Sequence, residues 1–207
     1  MDVSMLPDSP EFDFIRSVAA EYNVKVRLAS LEEGARGYKI EDIIVLNRRI
    51  LSERRNWTFS HELGHIVLGH SSNPSDSEER AADDFASELL LPARDFIPDS
   101  KSLDLAKLKE LYPHASWEAI ARRCLQYHAA VLTIFDGGEV TLRAASGCIN
   151  YPSKPSPAER LAVENCQNHR RHYNCVTNGL TLYAYYIDLN PDIIRIILIS
   201  QPQSGEV

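Results

Sequence analysis

The sequence predicts a mixed α+β protein, and three observations carry that prediction. Apolar residues recur at helical spacing in several windows up to about residue 127. Short alternating runs typical of strands interrupt them near the N-terminus. After His128 strand patterns punctuated by glycine and proline take over. A chain of 207 residues can bury a sizeable core. Its 44% apolar and 25% charged content is that of a globular protein. A net charge of −7 argues against a general nucleic-acid binder and favours protein or small-molecule partners.

In chain order, Glu11 to Tyr22 reads as an amphipathic helix through Phe14, Ile15, Val18 and Ala19. Val24, Val26 and Leu28 alternate with Lys25 and Arg27, the pattern of a half-buried strand. After a turn at Gly34–Gly37, Ile40 to Leu46 reads as a second strand. From Glu53 the pattern is helical, with Gly69 as its stop. Ser75 and Glu78 form a capping box, so the next helix starts near Asp76 and ends before Pro92. Leu103–Tyr112 and Trp117–Tyr127 are two more helices. Asp136-Gly137-Gly138 joins a hairpin, and Ser156-Pro157-Ala158-Glu159 opens a helix to about His172. Leu180–Ile187 and Ile193–Ile199 are strands around Asn190-Pro191-Asp192.

The chemistry lies in His61-Glu62-Leu63-Gly64-His65, an H-E-x-x-H pattern on the second of these helices. Histidines four residues apart stand one above the other on a helix face. Both can therefore bind one Zn²⁺ at about 2.0–2.1 Å. Glu62 points beside such an ion, placed to take a proton from water and pass it to a leaving amine. The plain alternative is two histidines on an ordinary helix. The apolar flanks, Trp57 to Ser60 and Ile66 to Leu68, argue for a buried helix, where unpaired polar side chains would be costly.

A catalytic zinc needs a third protein ligand and an open position. His70 lies five residues past His65, roughly 140° around a helix, and reads as a helix-end residue rather than a ligand. The following helix offers Glu78 and Glu79, either of which could face inward. Glu79-Arg80-Ala81-Ala82-Asp83 matches an E-x-x-A-D arrangement that favours Glu79 as ligand. Asp83, one turn on, could accept a hydrogen bond from a ligating histidine. Tyr38, Arg54 and Arg55 are candidate oxyanion donors, with nothing to choose between them.

These motifs resemble the ImmA/IrrE peptidase family, whose members carry H-E-L-G-H followed by a helix ending in F-A-x-x-L-L-x-P. Here these are His61–His65 and Phe85 to Pro92, and the likeness spans roughly residues 40–95. Leu111 to Trp117, with Ala121-Arg122-Arg123, resembles the radiation-response branch of that family. The resemblance implies a zincin-like metallopeptidase domain over 1–98, a helix-turn-helix-like segment over 99–128 and a short GAF-like α+β domain over 129–207. It also implies Zn²⁺, with Mn²⁺ possible in its place. The substrate implied is a helix-turn-helix repressor of the XRE type, similar to DdrO. Where the family commonly has a Glu, this chain has Ala81, a departure that supports Glu79 as the retained ligand.

Two other readings compete. In one, helices 103–127 bind DNA, with Arg122 and Arg123 on phosphates. In the other, the chain sequesters a repressor without cutting it. The N-terminal residues lack the basic and apolar segments of a secretory signal, and no stretch approaches the roughly 20 apolar residues of a membrane span. Cys124, Cys148, Cys166 and Cys175 show no C-x-x-C spacing, so reduced thiols and a cytoplasmic location are expected.

Overall fold

A computed structural model describes residues 3–147, 149–190 and 193–203. Cys148 and the Pro191-Asp192 part of the expected turn lie outside the described residues. The α+β class holds: the described residues form seven α-helices and two sheets. The chain divides into two compact units. The first comprises the residues up to Asp95 with Tyr112–Ser116; the second comprises Phe96–Leu111 and the chain from Trp117 on.

In the first unit, β1 (Val3–Met5), β2 (Lys25–Ala29), β3 (Gly37–Ile40) and β4 (Ile43–Asn47) form a sheet ordered β1-β2-β4-β3. Only the β2–β4 pair is parallel. The expected single strand over Ile40–Leu46 is instead the second half of a hairpin, turning at Glu41-Asp42 with Glu41 at φ +53°. That turn lacks the usual Asn-Gly or Asp-Gly signal, which is why the pattern conceals it. Alternation along β4 sends Ile44 and Leu46 to one face and Val45 to the other.

The first of those faces holds the core. Phe12, Ile15 and Val18, the latter two from α1 (Asp13–Glu21), pack there with Leu28, Ile44 and Leu46. Phe59 and Leu63 of α2 (Ser52–Val67) complete the cluster and are fully buried. Each such side chain contributes about 1.5–3 kcal/mol by leaving water. A Cβ at Gly37 would meet Thr58 Cγ2 at 2.7 Å and the Val45 carbonyl at 2.8 Å, so β3 can lie this close to α2 only with glycine there. The capping box at Ser75 opens α3 (Asp76–Leu90) as the sequence requires. Contrary to the expected buried flank, Val67 and Leu68 at the end of α2 are exposed.

The second unit has an antiparallel sheet ordered β6-β5-β9-β8-β7. Its strands are β5 (Val131–Asp136), β6 (Glu139–Ala145), β7 (Tyr173–Thr177), β8 (Leu180–Asn190) and β9 (Ile193–Pro202). After α4 (Ala93–Asp99), which the periodicity did not reveal, come α5 (Leu105–Leu111) and α6 (Trp117–Tyr127). Ile120, Ala121 and Cys124 of α6 are fully buried. Tyr185 Oη of β8 donates to the Leu103 carbonyl and accepts from the Leu105 amide, each at 3.0 Å, tying α5 to the sheet. Helix α7 (Pro157–His169) lays Ala162, Val163 and Cys166 on Phe135, Leu182, Ala184, Ile196 and Leu198. Beneath it Arg143 forms a buried ion pair with Glu159, which also accepts from Ser200 Oγ at 2.6 Å. Strand β7 escaped the sequence reading because its outward residues include Val176 and its inward ones Tyr173 and Cys175, which blurs the alternation.

Candidate metal centre

Helix α2 uses three of its sides. Phe59 and Leu63 face the sheet, and Gly64 faces α3. A Cβ on Gly64 would come within 3.2 Å of Ala82 Cα, the Ala82 carbonyl oxygen and Phe85 Cβ, so the absent side chain lets the two helices approach. His61 and His65, one turn apart, then meet the first turns of α3. Their rings are 4.7 Å apart by centroid, and their Nε2 atoms are 3.0 Å apart. Glu79 places its carboxylate 3.3 Å from His61 Nε2 and 3.7 Å from His65 Nε2.

One ligand atom from each of these three residues lies within 4.8 Å of the others. Tetrahedral zinc with ligands at about 2.0–2.1 Å separates them by about 3.3 Å. The Nε2 atoms 3.0 Å apart, Glu79 Oε2 3.3 Å from His61 and Glu79 Oε1 3.7 Å from His65 lie around that value, so the donor set fits a single ion. The His65 side chain is 4% exposed and that of Glu79 47%, so the cluster is walled on one side and open on the other. An open side is what a fourth, exchangeable position requires.

Of the two candidate glutamates, the structure brings Glu79 to the histidines. Glu78 is engaged elsewhere: its carboxylate accepts from the Ser75 amide at 2.7 Å and from Ser75 Oγ at 2.9 Å. Those bonds, the backbone one foremost, hold its carboxyl below the ordinary range. Asp83 Oδ1 lies 2.9 Å from His61 Nδ1, placed to orient that ring.

Against known proteins, residues 19–125 match the Peptidase_M78 family, described as an IrrE N-terminal-like domain. The chain belongs to the Peptidase_M78 family. Membership in this M78 family supports a metallopeptidase and implies a metal ion. A solved structure described as a Mycobacterium tuberculosis transcriptional regulator resembles the M78 chain in fold, with a TM-score of 0.63 and 15% identity. That likeness covers 93% of this chain and 69% of the other. No curated protein matches it.

Around the M78 cluster the electrostatics differ residue by residue. Burial pushes the Glu62 carboxyl above its ordinary value and Glu79 adds to the effect, while His61 and Lys39 pull the other way. Burial, then the neighbouring His61, lowers the pKa of His65 and so favours the neutral ring that a metal ligand must be.

None of the three expected oxyanion donors is singled out by this geometry. Tyr38 packs with Ala29, Leu31 and Val45, on the sheet face opposite the core of α2. Arg55 is buried, donates to the Ile50 carbonyl and stacks on Phe12. Arg54 is exposed and its carbonyl accepts from Thr58.

The cation that sequence reasoning missed is Lys39, paired in register with core-facing Ile44 and donating from Nζ to the His70 carbonyl at 3.1 Å. Strand parity carried that signal: once β3 is separated from β4, Lys39 rather than Tyr38 falls on the core side. His70 was expected to be a helix-end residue. It lies just past α2, and its Nδ1 is 2.9 Å from Nδ1 of His65.

The residues proposed for DNA phosphates are largely occupied. Arg123 is 7% exposed, donates to Gln126 and packs over Tyr127. Arg122 pairs with Glu118 at 2.9 Å. No helix among the described residues is long and apolar enough to cross a membrane.

Proposed function

We propose that this chain is a zinc-dependent endopeptidase that cleaves a helix-turn-helix repressor of the XRE type, similar to DdrO, and so induces DNA-damage and radiation-response genes in the manner of deinococcal IrrE. The observation that carries the reading is the convergence of His61, His65 and Glu79 with Glu62 one residue from the first ligand. His61, His65 and Glu79 would hold the ion, zinc or manganese in its place. When bound, the ion supplies Lewis acidity toward the scissile carbonyl and lowers the pKa of water towards about 7. Glu62 takes the proton from the attacking water and delivers it to the amide nitrogen as the C–N bond breaks. Its burial-raised carboxyl suits both halves of that transfer.

Strand β3, at the sheet edge beside α2, offers backbone groups to an extended substrate segment. The second unit, five antiparallel strands with α7 across one face, is consistent with a short GAF-like module in a cytoplasmic regulator.

The test incubates the chain with an XRE-type repressor, with and without zinc, and reads fragments by mass spectrometry. Cleavage should require metal, and Glu62→Gln should slow it by roughly 10²–10⁴-fold while zinc still binds. Wild-type rates in that variant would remove Glu62 from the mechanism. A second reading, a repressor-sequestering or DNA-binding regulator without proteolysis, draws on the similarity to the mycobacterial transcriptional regulator. Intact repressor held in a complex, or a salt-sensitive shift of DNA mobility, would favour it.

A further inference from the structure

The two histidines of the cluster differ in what holds them from behind. Both turn Nε2 toward Glu79, so each must carry its remaining proton on Nδ1 if Nε2 is to offer a lone pair. For His61 the acceptor is the Asp83 carboxylate at 2.9 Å. For His65 the atom at that distance is Nδ1 of His70, five residues on and outside the cluster. The two Nδ1 atoms are 2.9 Å apart, hydrogen-bond distance, with the ring planes at 71°.

Three backbone anchors fix His70 independently of its side chain. Gly69, at φ +68°, bends the chain out of α2. The His70 amide then donates back to the His65 carbonyl at 2.9 Å. Lys39 Nζ of β3 caps the His70 carbonyl at 3.1 Å. The imidazole is therefore delivered to His65 by a rigid helix end tied to the neighbouring strand.

We propose that His70 is the positioning residue for His65: its Nδ1 accepts the Nδ1 proton of His65, fixing tautomer and ring so that Nε2 faces the ion site. This rests on the metallopeptidase reading and adds to it a residue that never touches the ion. A neutral acceptor here, opposite the anionic Asp83 behind His61, leaves the two ligands unequal in basicity.

The experiment uses the full chain and measures Zn²⁺ affinity by competition with a chromophoric chelator, with Co²⁺ visible spectra as a second readout. His70→Ala removes the acceptor. His70→Phe keeps a ring without one. His70→Asn restores an acceptor near the Nδ1 position. All three leave the backbone anchors intact.

Ala and Phe should weaken Zn²⁺ binding by about 10- to 100-fold and alter the Co²⁺ bands, while Asn should lie within about threefold of wild type with unchanged bands. Wild-type affinity in Ala and Phe, or Asn as weak as Ala, overturns the assignment alone. A wild-type chain that takes up no ion overturns both it and the hydrolase reading. The predicted affinity pattern without any repressor cleavage leaves His70 assigned and removes only the substrate.

Discussion

Glu78 and Glu79 are adjacent, chemically identical side chains in the same helical turn, yet they do different work. The Ser75 cap takes Glu78, and the histidines of α2 meet Glu79. Glu79→Gln should therefore weaken zinc binding by more than the about 10- to 100-fold that an outer partner is worth. Glu78→Gln should leave zinc affinity unchanged while loosening the start of α3. Isothermal titration of the two variants side by side checks this, and equal losses would refute the division of labour. The H-E-x-x-H half of the site was legible because its geometry is set within one helical turn. The choice between the glutamates was open because it depends on which one the cap claims.

Among the elements, the approach of α2 to α3 governs the site. Gly64→Ala should gain about 1 kcal/mol in helix propensity and lose about 1–3 kcal/mol to overpacking. Two of the three atoms within 3.2 Å are backbone of Ala82 and cannot rotate away, so the loss should prevail. The expected outcome is a lower Tm and weaker zinc binding, because α3 moves out and carries Glu79 with it. A Tm at or above wild type with unchanged affinity would show that the helices accommodate the methyl. The helices other than α4 were readable from periodicity and from both capping boxes. The hairpin of β3 and β4 was not, since Glu41 adopts the left-handed region without being glycine. That one missed turn also hid Lys39, whose facing depends on which strand it belongs to.

At the scale of the molecule, the two units answer to different conditions. The ion site lies wholly in the first, so zinc in excess should protect amides of α2 and α3 against hydrogen exchange. At 100 times Kd the gain is about 2.7 kcal/mol. Protection spread equally over β5 to β9 would contradict this.

The second unit should respond to acid. Burial raises the Glu159 carboxyl, but hydrogen bonds from Ser200 and Ser156 and the charge of Arg143 outweigh it and hold the group below its ordinary value of 4.5. A depressed pKa contributes stability that is present above 4.5 and fades as pH falls through the folded value. Urea melts from pH 6 downward should show this loss below about pH 4.5, and Glu159→Gln should flatten that limb. Cys124 and Cys166 take no part near neutrality, since burial pushes their thiols up to about 12 and about 11.

The placement of the cluster on consecutive helices of the first unit sets the order in which the protein can be made. By the time Leu91 leaves the ribosome, the sheet β1 to β4 and all three converging side chains have already been synthesised. Of that unit only residues 92–95 and the short Tyr112–Ser116 segment are still to come. A nascent chain can thus acquire its metal before any strand of the second sheet exists.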